Sequence, residues 1–110
     1  GELMDAKDYL TQGLKITSQL RDRGQIVFVL WSFSQLNYEA ESYERAALLL
    51  GASDSLRDEI GSTLSSSAIE EHNVLLQAVQ TALGDEAFQA HYTRGRTLNW
   101  DDAVAYALEE

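Results

Sequence analysis

The chain contains no proline in 110 residues, and this absence constrains its fold more than any other feature of the sequence. Proline usually makes up about 5% of a protein. It is the residue that most often ends or kinks a helix, because it lacks a backbone N–H and its ring clashes with the preceding turn. A chain without it favours long, continuous helices over a turn-rich sandwich of strands. We therefore expect an all-α fold.

Apolar residues recur at three- and four-residue steps, which is the period of an amphipathic helix. The pattern predicts about six helices, of which the fifth is short. Their expected bounds are 2–20, 25–40, 42–60, 67–83, 86–94 and a last segment after Asn99. Residues 26–31 are the one place where a strand is an alternative, because this apolar run includes β-branched and aromatic types. Helical spacing continues through Phe33, Leu36 and Ala40, so we expect a helix there too.

Glycine and capping residues mark the expected helix ends. Gly24 is expected to stop the first helix and Gly61 the third, because glycine readily takes the conformation that ends a helix. Ser67 and Glu70 have the spacing of a capping box at the start of the fourth helix. Asn99 is expected to cap the start of the last helix.

Gly51 lies inside the third predicted helix. A glycine at an interior helical position costs about 1 kcal/mol relative to alanine, so its presence there needs a reason. We interpret it as a point where a second helix approaches closely.

Charge and composition disfavour several classes of partner. Eighteen acidic and eight basic residues give a net charge of −10, whereas a nucleic-acid surface needs concentrated Lys and Arg. Direct contact with nucleic acid is therefore not expected. The chain has no cysteine, which excludes disulfides, thiolate metal sites and cysteine catalysis. No apolar run approaches the ~18–20 residues of a membrane span, so no membrane partner is expected.

The two histidines do not form a recognisable metal motif. His72 and His91 lie 19 positions apart, and the close helical pair of an H-E-x-x-H site is missing. Glu70, Glu71 or Asp85 are the acidic residues that such a site would have to recruit. We instead expect His72 to be a partly buried histidine at the edge of a packed face.

Motifs for catalysis are also missing, so the chain is predicted not to be an enzyme and to use no cofactor. There is no G-x-S-x-G turn and no glycine cluster of the kind that holds phosphate. Adjacent acidic residues occur at 70–71, 85–86, 101–102 and 109–110. The first three pairs fall in the first turns of predicted helices, where the helix dipole accounts for them. We interpret the last pair as a solvent-exposed end of the chain. An enzyme with a carboxylate site is the distant alternative.

The first and third predicted helices align with each other at an offset of 40 residues. The paired positions are Leu3 and Tyr43, Ala6 and Ala46, Leu10 and Leu50, Ile16 and Leu56, and Leu20 and Ile60. Small residues at equivalent places are what stacked helix pairs need in order to approach closely. The alternative is a chance alignment of two amphipathic stripes.

Residues 1–6 resemble the inter-helix turn and second helix of a tetratricopeptide repeat. A second set of residues resembles a full repeat of this family. It consists of Leu30-Trp31, Phe33-Ser34, Tyr43-Glu44-Arg45-Ala46 and Leu50. The pattern departs from the family at Ser34, where glycine is usual, in its missing proline, and in a spacing longer than the usual 34 residues. Residues 44–52 are similar to helical repeat arrays of large bacterial signal-transduction ATPases and transcriptional regulators. Residues 82–88, 95–98 and 102–108 resemble the ends of such arrays.

This resemblance implies antiparallel helix pairs stacked as a fragment of a right-handed superhelix. Residues 1–24 would be the second half of a repeat, residues 25–61 a complete repeat, and residues 67–110 the closing helices. The chain is then expected to be the C-terminal part of a longer cytoplasmic bacterial regulator. Its first helix would expose apolar surface that a preceding helix covers, or would form a homodimer through that face.

The resemblance also places a concave binding face on the second helix. Its expected lining residues are Phe28, Trp31, Gln35, Tyr38 and Glu39. Exposed Trp and Tyr are good binding anchors, although Trp31 and Tyr38 have the alternative of packing on a neighbouring helix. The expected function is a non-enzymatic scaffold for a protein, a peptide or a small inducer, with an acidic C-terminal tail disfavoured because basic residues are missing. A structural cap that supports oligomerisation is the alternative.

Overall fold

The computed structural model describes residues 2–109 and shows six α-helices. They are α1 Glu2–Leu20, α2 Arg23–Glu39, α3 Tyr43–Ile60, α4 Ser66–Leu83, α5 Asp85–Arg96 and α6 Trp100–Leu108. Residues 2–109 contain no strand, and the apolar run 26–31 lies inside α2. The all-α prediction is confirmed. Gly1, at the start of the segment that resembles a repeat, and Glu110, in the last acidic pair, lie outside the described residues.

The third helix is the centre of the molecule. Residues 46–54 of α3 are all buried, because α2, α4, α5 and α6 all pack against it. On one side, α3 shares an apolar core with α1, α2 and α6, in which Leu30, Phe33 and Leu49 are buried. On the other side, it shares a second core with α4 and α5, in which Leu50 and Phe88 are buried.

The last helix turns back towards the start of the chain. α6 packs on α1, α2 and α3, and its Ala103 and Ala107 are buried in the first core. Arg45 of α3 donates to the carbonyl oxygen of Tyr106 at 2.9 Å, and its guanidinium lies 4.5 Å from the centre of that ring. The molecule therefore has α3 between two layers, one of α1, α2 and α6 and one of α4 and α5.

α3 and α5 cross at two glycines. A Cβ atom on Gly51 would collide with the carbonyl of Tyr92, whose carbon would lie only 3.0 Å away. A Cβ atom on Gly95 would collide in the same way with the carbonyl of Leu48, whose carbon would be 2.8 Å away. Each helix thus rests directly on the backbone of the other. The interpretation of Gly51 as a point of close approach is confirmed, and Gly95 is its counterpart.

The helix ends differ from the expected ones at α1, α4 and α5. The expected fifth helix, 86–94, is too short: α5 runs to Arg96, and α6 is the shortest helix of the described residues. Gly24 does not stop α1, because Arg21 takes the left-handed conformation (φ 55°) instead and Gly24 lies in the first turn of α2. Asp22 caps α2 by accepting a hydrogen bond from the backbone N–H of Gln25 at 3.2 Å. The expected capping box of Ser67 is also wrong: α4 begins at Ser66, and its N-cap is Ser65, two residues before Ser67.

Ser65 is extended and accepts from the N–H of Ala68 at 3.2 Å. It stands in a run of three serines, each of which can cap a helix, so local chemistry does not choose among them. The caps at Gly61, which is left-handed with φ 69°, and at Asn99, which accepts from the N–H of Asp102 at 2.8 Å, lie where the sequence predicts them.

The glycine crossing predicts opposite effects for the same substitution at two helical sites. Gly51→Ala should lower the free energy of unfolding by roughly 1–3 kcal/mol or more, because the added methyl meets rigid backbone and α5 must move away. Gly13→Ala should raise it by up to about 1 kcal/mol, because a Cβ there meets nothing within 4 Å and alanine is the better helix former. Urea unfolding of the two variants measures both values. Equal effects would contradict the crossing.

Candidate binding groove

A groove separates α2 from α4, although both helices pack on α3. Its wider part, the outer groove, has a volume of about 620 Å³. The outer groove is lined by Trp31, Gln35, Tyr38 and Glu39 of α2 and by Glu70, Glu71, Val74, Leu75 and Ala78 of α4. A smaller space of about 220 Å³, the inner cavity, lies at the N-terminal end of α2. Trp31 and Glu71 line both spaces, so the two spaces are neighbours.

The five residues predicted for a concave face lie along this one groove. Phe28 lines the inner cavity, Trp31 lines both spaces, and Gln35, Tyr38 and Glu39 line the outer groove. Their helical spacing places them on the same side of α2. Whether they bind a partner stays a prediction.

Trp31 and Tyr38 also have packing roles. Both are half-buried and pack against the second core, and the Tyr38 ring lies 5.6 Å from that of Tyr43. The alternative in which these two side chains pack on a neighbouring helix thus holds for part of their surface. The rest of each ring faces the groove, so one aromatic wall serves the core and the groove.

A buried carboxylate holds α4 and α5 against α3 next to the inner cavity. The side chain of Asp54 is only 6% exposed. Its Oδ1 accepts from Arg57 at 3.0 Å and from the Nε2 of His72 at 3.3 Å. Its Oδ2 accepts from the hydroxyl of Tyr92 at 2.5 Å. The three donors come from α3, α4 and α5, so one charge connects three helices.

The surroundings of Asp54 favour its ionised form. Burial would raise the pKa of Asp54, but hydrogen bonds from His72 and Tyr92, together with the charges of His72 and Arg57, outweigh it and lower the pKa. Burial, with the hydrogen bond to Asp54 as the next cause, raises the pKa of Tyr92 to about 12. Tyr92 therefore stays a hydrogen-bond donor at any ordinary pH.

Two nitrogen atoms beside the groove lack partners. Nε1 of Trp31 and Nδ1 of His72 are buried and have no hydrogen bond, and both residues line the inner cavity. A buried polar atom without a partner costs about 1–3 kcal/mol. The prediction that His72 is a partly buried histidine agrees with its side chain being 12% exposed.

The rim of the outer groove is acidic. Glu39 of α2 and Glu70 and Glu71 of α4 are exposed and line it, while its other lining residues are uncharged. Arg57 is the one Lys or Arg side chain that lines the inner cavity, and it is bound to Asp54. The groove therefore combines an apolar, aromatic interior with a negative edge.

The described residues hold no cluster of three or more His, Asp or Glu side chains that would bind a metal ion. His72 is instead bound to Asp54. Among residues 2–109, no helix is both long and apolar enough to span a membrane. Comparison of the chain with protein-family models, with curated proteins and with solved structures finds no match.

The lowered pKa of Asp54 predicts a stability that depends on pH. A carboxyl group whose pKa is lower in the folded state stabilises the fold above its unfolded pKa of 3.8, and this contribution disappears as the pH falls through the folded pKa. Asp54→Asn should therefore lower the free energy of unfolding by roughly 1–3 kcal/mol at neutral pH. The difference from the unsubstituted chain should shrink below pH ~4.

Asp58→Asn is the matched control for this measurement. Asp58 lies one helical turn further along α3 and its side chain is 65% exposed, so its loss should change stability by less than about 0.5 kcal/mol. Urea unfolding of both variants across the acid range measures the effect. If the free energies of unfolding of Asp54→Asn and of the unsubstituted chain differ by the same amount at every pH, the predicted role of the Asp54 charge is wrong.

Proposed function

We propose that the chain is a non-enzymatic interaction module that binds a segment of a partner protein in the outer groove. The observation that carries this proposal is the continuous groove between α2 and α4, with Trp31 and Tyr38 on one wall and Val74 and Leu75 on the other. Aromatic side chains held by core packing are good anchors, because they bury a large area and lose little freedom on binding. Val74 is 70% exposed, so a partner would bury it.

The charges of the groove favour a basic, amphipathic partner segment. Glu39, Glu70 and Glu71 at the rim attract Lys or Arg side chains, and the interior accepts apolar ones. The net charge of −10 adds a long-range attraction that speeds association with a cationic partner. An acidic segment would be repelled at the same rim.

The resemblance to helical repeat arrays suggests where such a module works. We propose that the chain is the C-terminal scaffold of a multidomain bacterial regulator of transcription, in which groove occupancy biases distant domains. The stacked tetratricopeptide-like arrangement belongs to this proposal as well. It is supported by the residue patterns in α2 and α3 and by the all-helical fold.

Selection from a random-peptide display library tests the groove. Peptides that bind should combine basic with aromatic or aliphatic residues, and their affinity should fall as salt screens the rim charges. Val74→Lys should lower the affinity for these peptides at least tenfold, which is about 1.4 kcal/mol of binding free energy, because it removes an apolar contact and adds a charge that repels a basic peptide. Leu20→Lys is the matched control, since Leu20 is 73% exposed on α1, and it should change affinity less than twofold. Acidic peptides, or equal binding to both variants, would contradict the proposal.

The outer face of α1 supports a second candidate function, self-association. Tyr9, Ile16 and Leu20 form an apolar stripe on α1, with exposures of 79%, 56% and 73%. Leu14 is the one residue of α1 that is buried. A stripe of this kind is typical of a surface that another helix covers, which agrees with a capping or dimerising role.

Sedimentation over a wide range of protein concentrations tests self-association. If α1 is the dimer interface, the sedimentation coefficient should rise with concentration, and Leu20→Lys should suppress this rise while Val74→Lys leaves it unchanged. The same two variants thus separate the two candidate functions. A monomer at all concentrations would eliminate the second one.

A further inference from the structure

The two helices that line the outer groove run in the same direction. Two side-chain hydrogen bonds join the second half of α2 to the first turn of α3 and the first half of α2 to the second half of α3, so these helices are antiparallel. His72, near the start of α4, contacts Asp54, and Val79, nearer its end, shares a core with Ala46. α4 is therefore antiparallel to α3 as well. The groove lies between two parallel helices that pack on the same third helix.

The residues that line the two spaces recur at the steps at which one helix contacts another. On α2 they include positions 28, 31, 35 and 38, and on α4 they include positions 68, 71, 75 and 78. Steps of three and four residues keep side chains on one face of a helix. Two parallel rows of this kind form a surface into which the side-chain ridges of a further helix can pack.

The length of the groove is that of a short helix. From Phe28 to Tyr38 it follows ten residues of α2, which at 1.5 Å per residue is about 15 Å, or about three turns. Phe28 and Val74, on opposite walls, are 60% and 70% exposed. A helix of this length along the groove would cover both side chains.

An extended segment would leave its own backbone without partners in this groove. The walls are α-helices, whose interior N–H and C=O groups are used within each helix. Among the described lining residues of the outer groove, Gln35 and the hydroxyl of Tyr38 are the uncharged polar groups that face an occupant. Buried backbone groups without a partner are costly, and a helix satisfies its interior ones internally. The walls therefore favour a helical occupant.

The inner cavity is large enough to hold one aromatic side chain of such an occupant. Its volume is about 220 Å³, whereas an apolar cavity of about 150 Å³ is large enough to bind benzene. A charged side chain would lose its hydration there, so an apolar one gains more. The apolar residues that line the cavity are Val27, Phe28, Trp31, Ile60, Leu64 and Ala68.

We propose that the partner segment is an amphipathic, basic α-helix of about three turns, which lies along α2 and α4 and inserts one aromatic side chain into the inner cavity. Lys or Arg residues on its flanks meet Glu39 at one end of the groove and Glu70 and Glu71 at the other. This inference rests on the proposed binding function of the outer groove and adds the conformation and the anchor of the partner.

Two synthetic peptides of identical composition and about 14 residues, or about four helical turns, test the conformation. Both contain leucine, lysine and glutamine, with one phenylalanine near one end. In the first, apolar residues recur at three- and four-residue steps, and in the second they alternate with polar ones. The first should bind at least about tenfold more tightly, because only its backbone is satisfied when its apolar face is buried. Carbon-13 chemical shifts of the labelled peptide should show a helix in the bound state.

Two variants of the chain show whether the peptides bind in the groove. Val74→Lys should lower the affinity for the first peptide at least about tenfold, whereas Leu20→Lys, on the outer face of α1, should change it less than about twofold. If the alternating peptide binds at least as tightly and Val74→Lys weakens it, the helical inference is overturned and the binding function stands. If neither peptide binds, or Val74→Lys weakens neither, both are overturned.

Replacement of the peptide's phenylalanine by alanine tests the anchor. In the unsubstituted chain it should lower the affinity at least about tenfold, as expected for burial of a phenylalanine side chain. In Ala68→Leu, which fills the cavity, it should cost less than about threefold. Ala82→Leu, at an exposed position of the same helix, is the matched control and should behave as the unsubstituted chain.

Nuclear Overhauser effects in the unsubstituted chain locate the anchor even if Ala68→Leu fails to fold. The peptide's phenylalanine ring should show contacts with methyl groups of Ile60, Leu64 and Ala68, all of which line the inner cavity. A bound helix whose phenylalanine contacts none of these methyl groups would overturn the anchor.

Discussion

The close crossing of α3 and α5, in which Gly51 faces the backbone of Tyr92 and Gly95 faces the backbone of Leu48, is the constraint on which the packing around α3 depends. With no side chain at either point, α5 lies directly on the backbone of α3. This close approach is what leaves Ala46, Ala47 and Leu50 of α3 fully covered. α2 then packs on the remaining side of α3, where Ser34 donates to the carbonyl of Ala46 at 2.7 Å and Ser53 to that of Val27 at 3.3 Å.

α4 packs on α3 and α5 but leaves the groove between itself and α2. Leu75 and Val79 are its buried residues, and Asp54 binds it through His72. An element with few buried contacts has a low free energy of local opening. The width of the groove should therefore adjust more readily than the spacing of α2, α3 and α5, which would suit the proposed binding of a partner segment.

Much of the fold follows from local patterns, whereas the polar network and the helix directions do not. The absence of proline and the helical spacing predict all six helices, and the cost of Gly51 predicts a close crossing. Asp54 could not be singled out, since its partner Tyr92 lies 38 residues away and an acidic residue in a helix is usually solvated. The sequence does not mark Gly95 as a second point of close approach, because it lies near a helix end, where glycine is common. Which of three serines caps α4, and where α6 packs, are decided by tertiary contacts.

Trp31 is a wall shared by the two parts of the groove. Its ring packs against the second core, so it is ordered before either space is occupied. A partner segment that covers the rest of this ring therefore loses little of its binding free energy to ordering the side chain. If such a segment displaces the ring, it also moves a wall of the inner cavity, and any coupling between the two spaces that results is reciprocal.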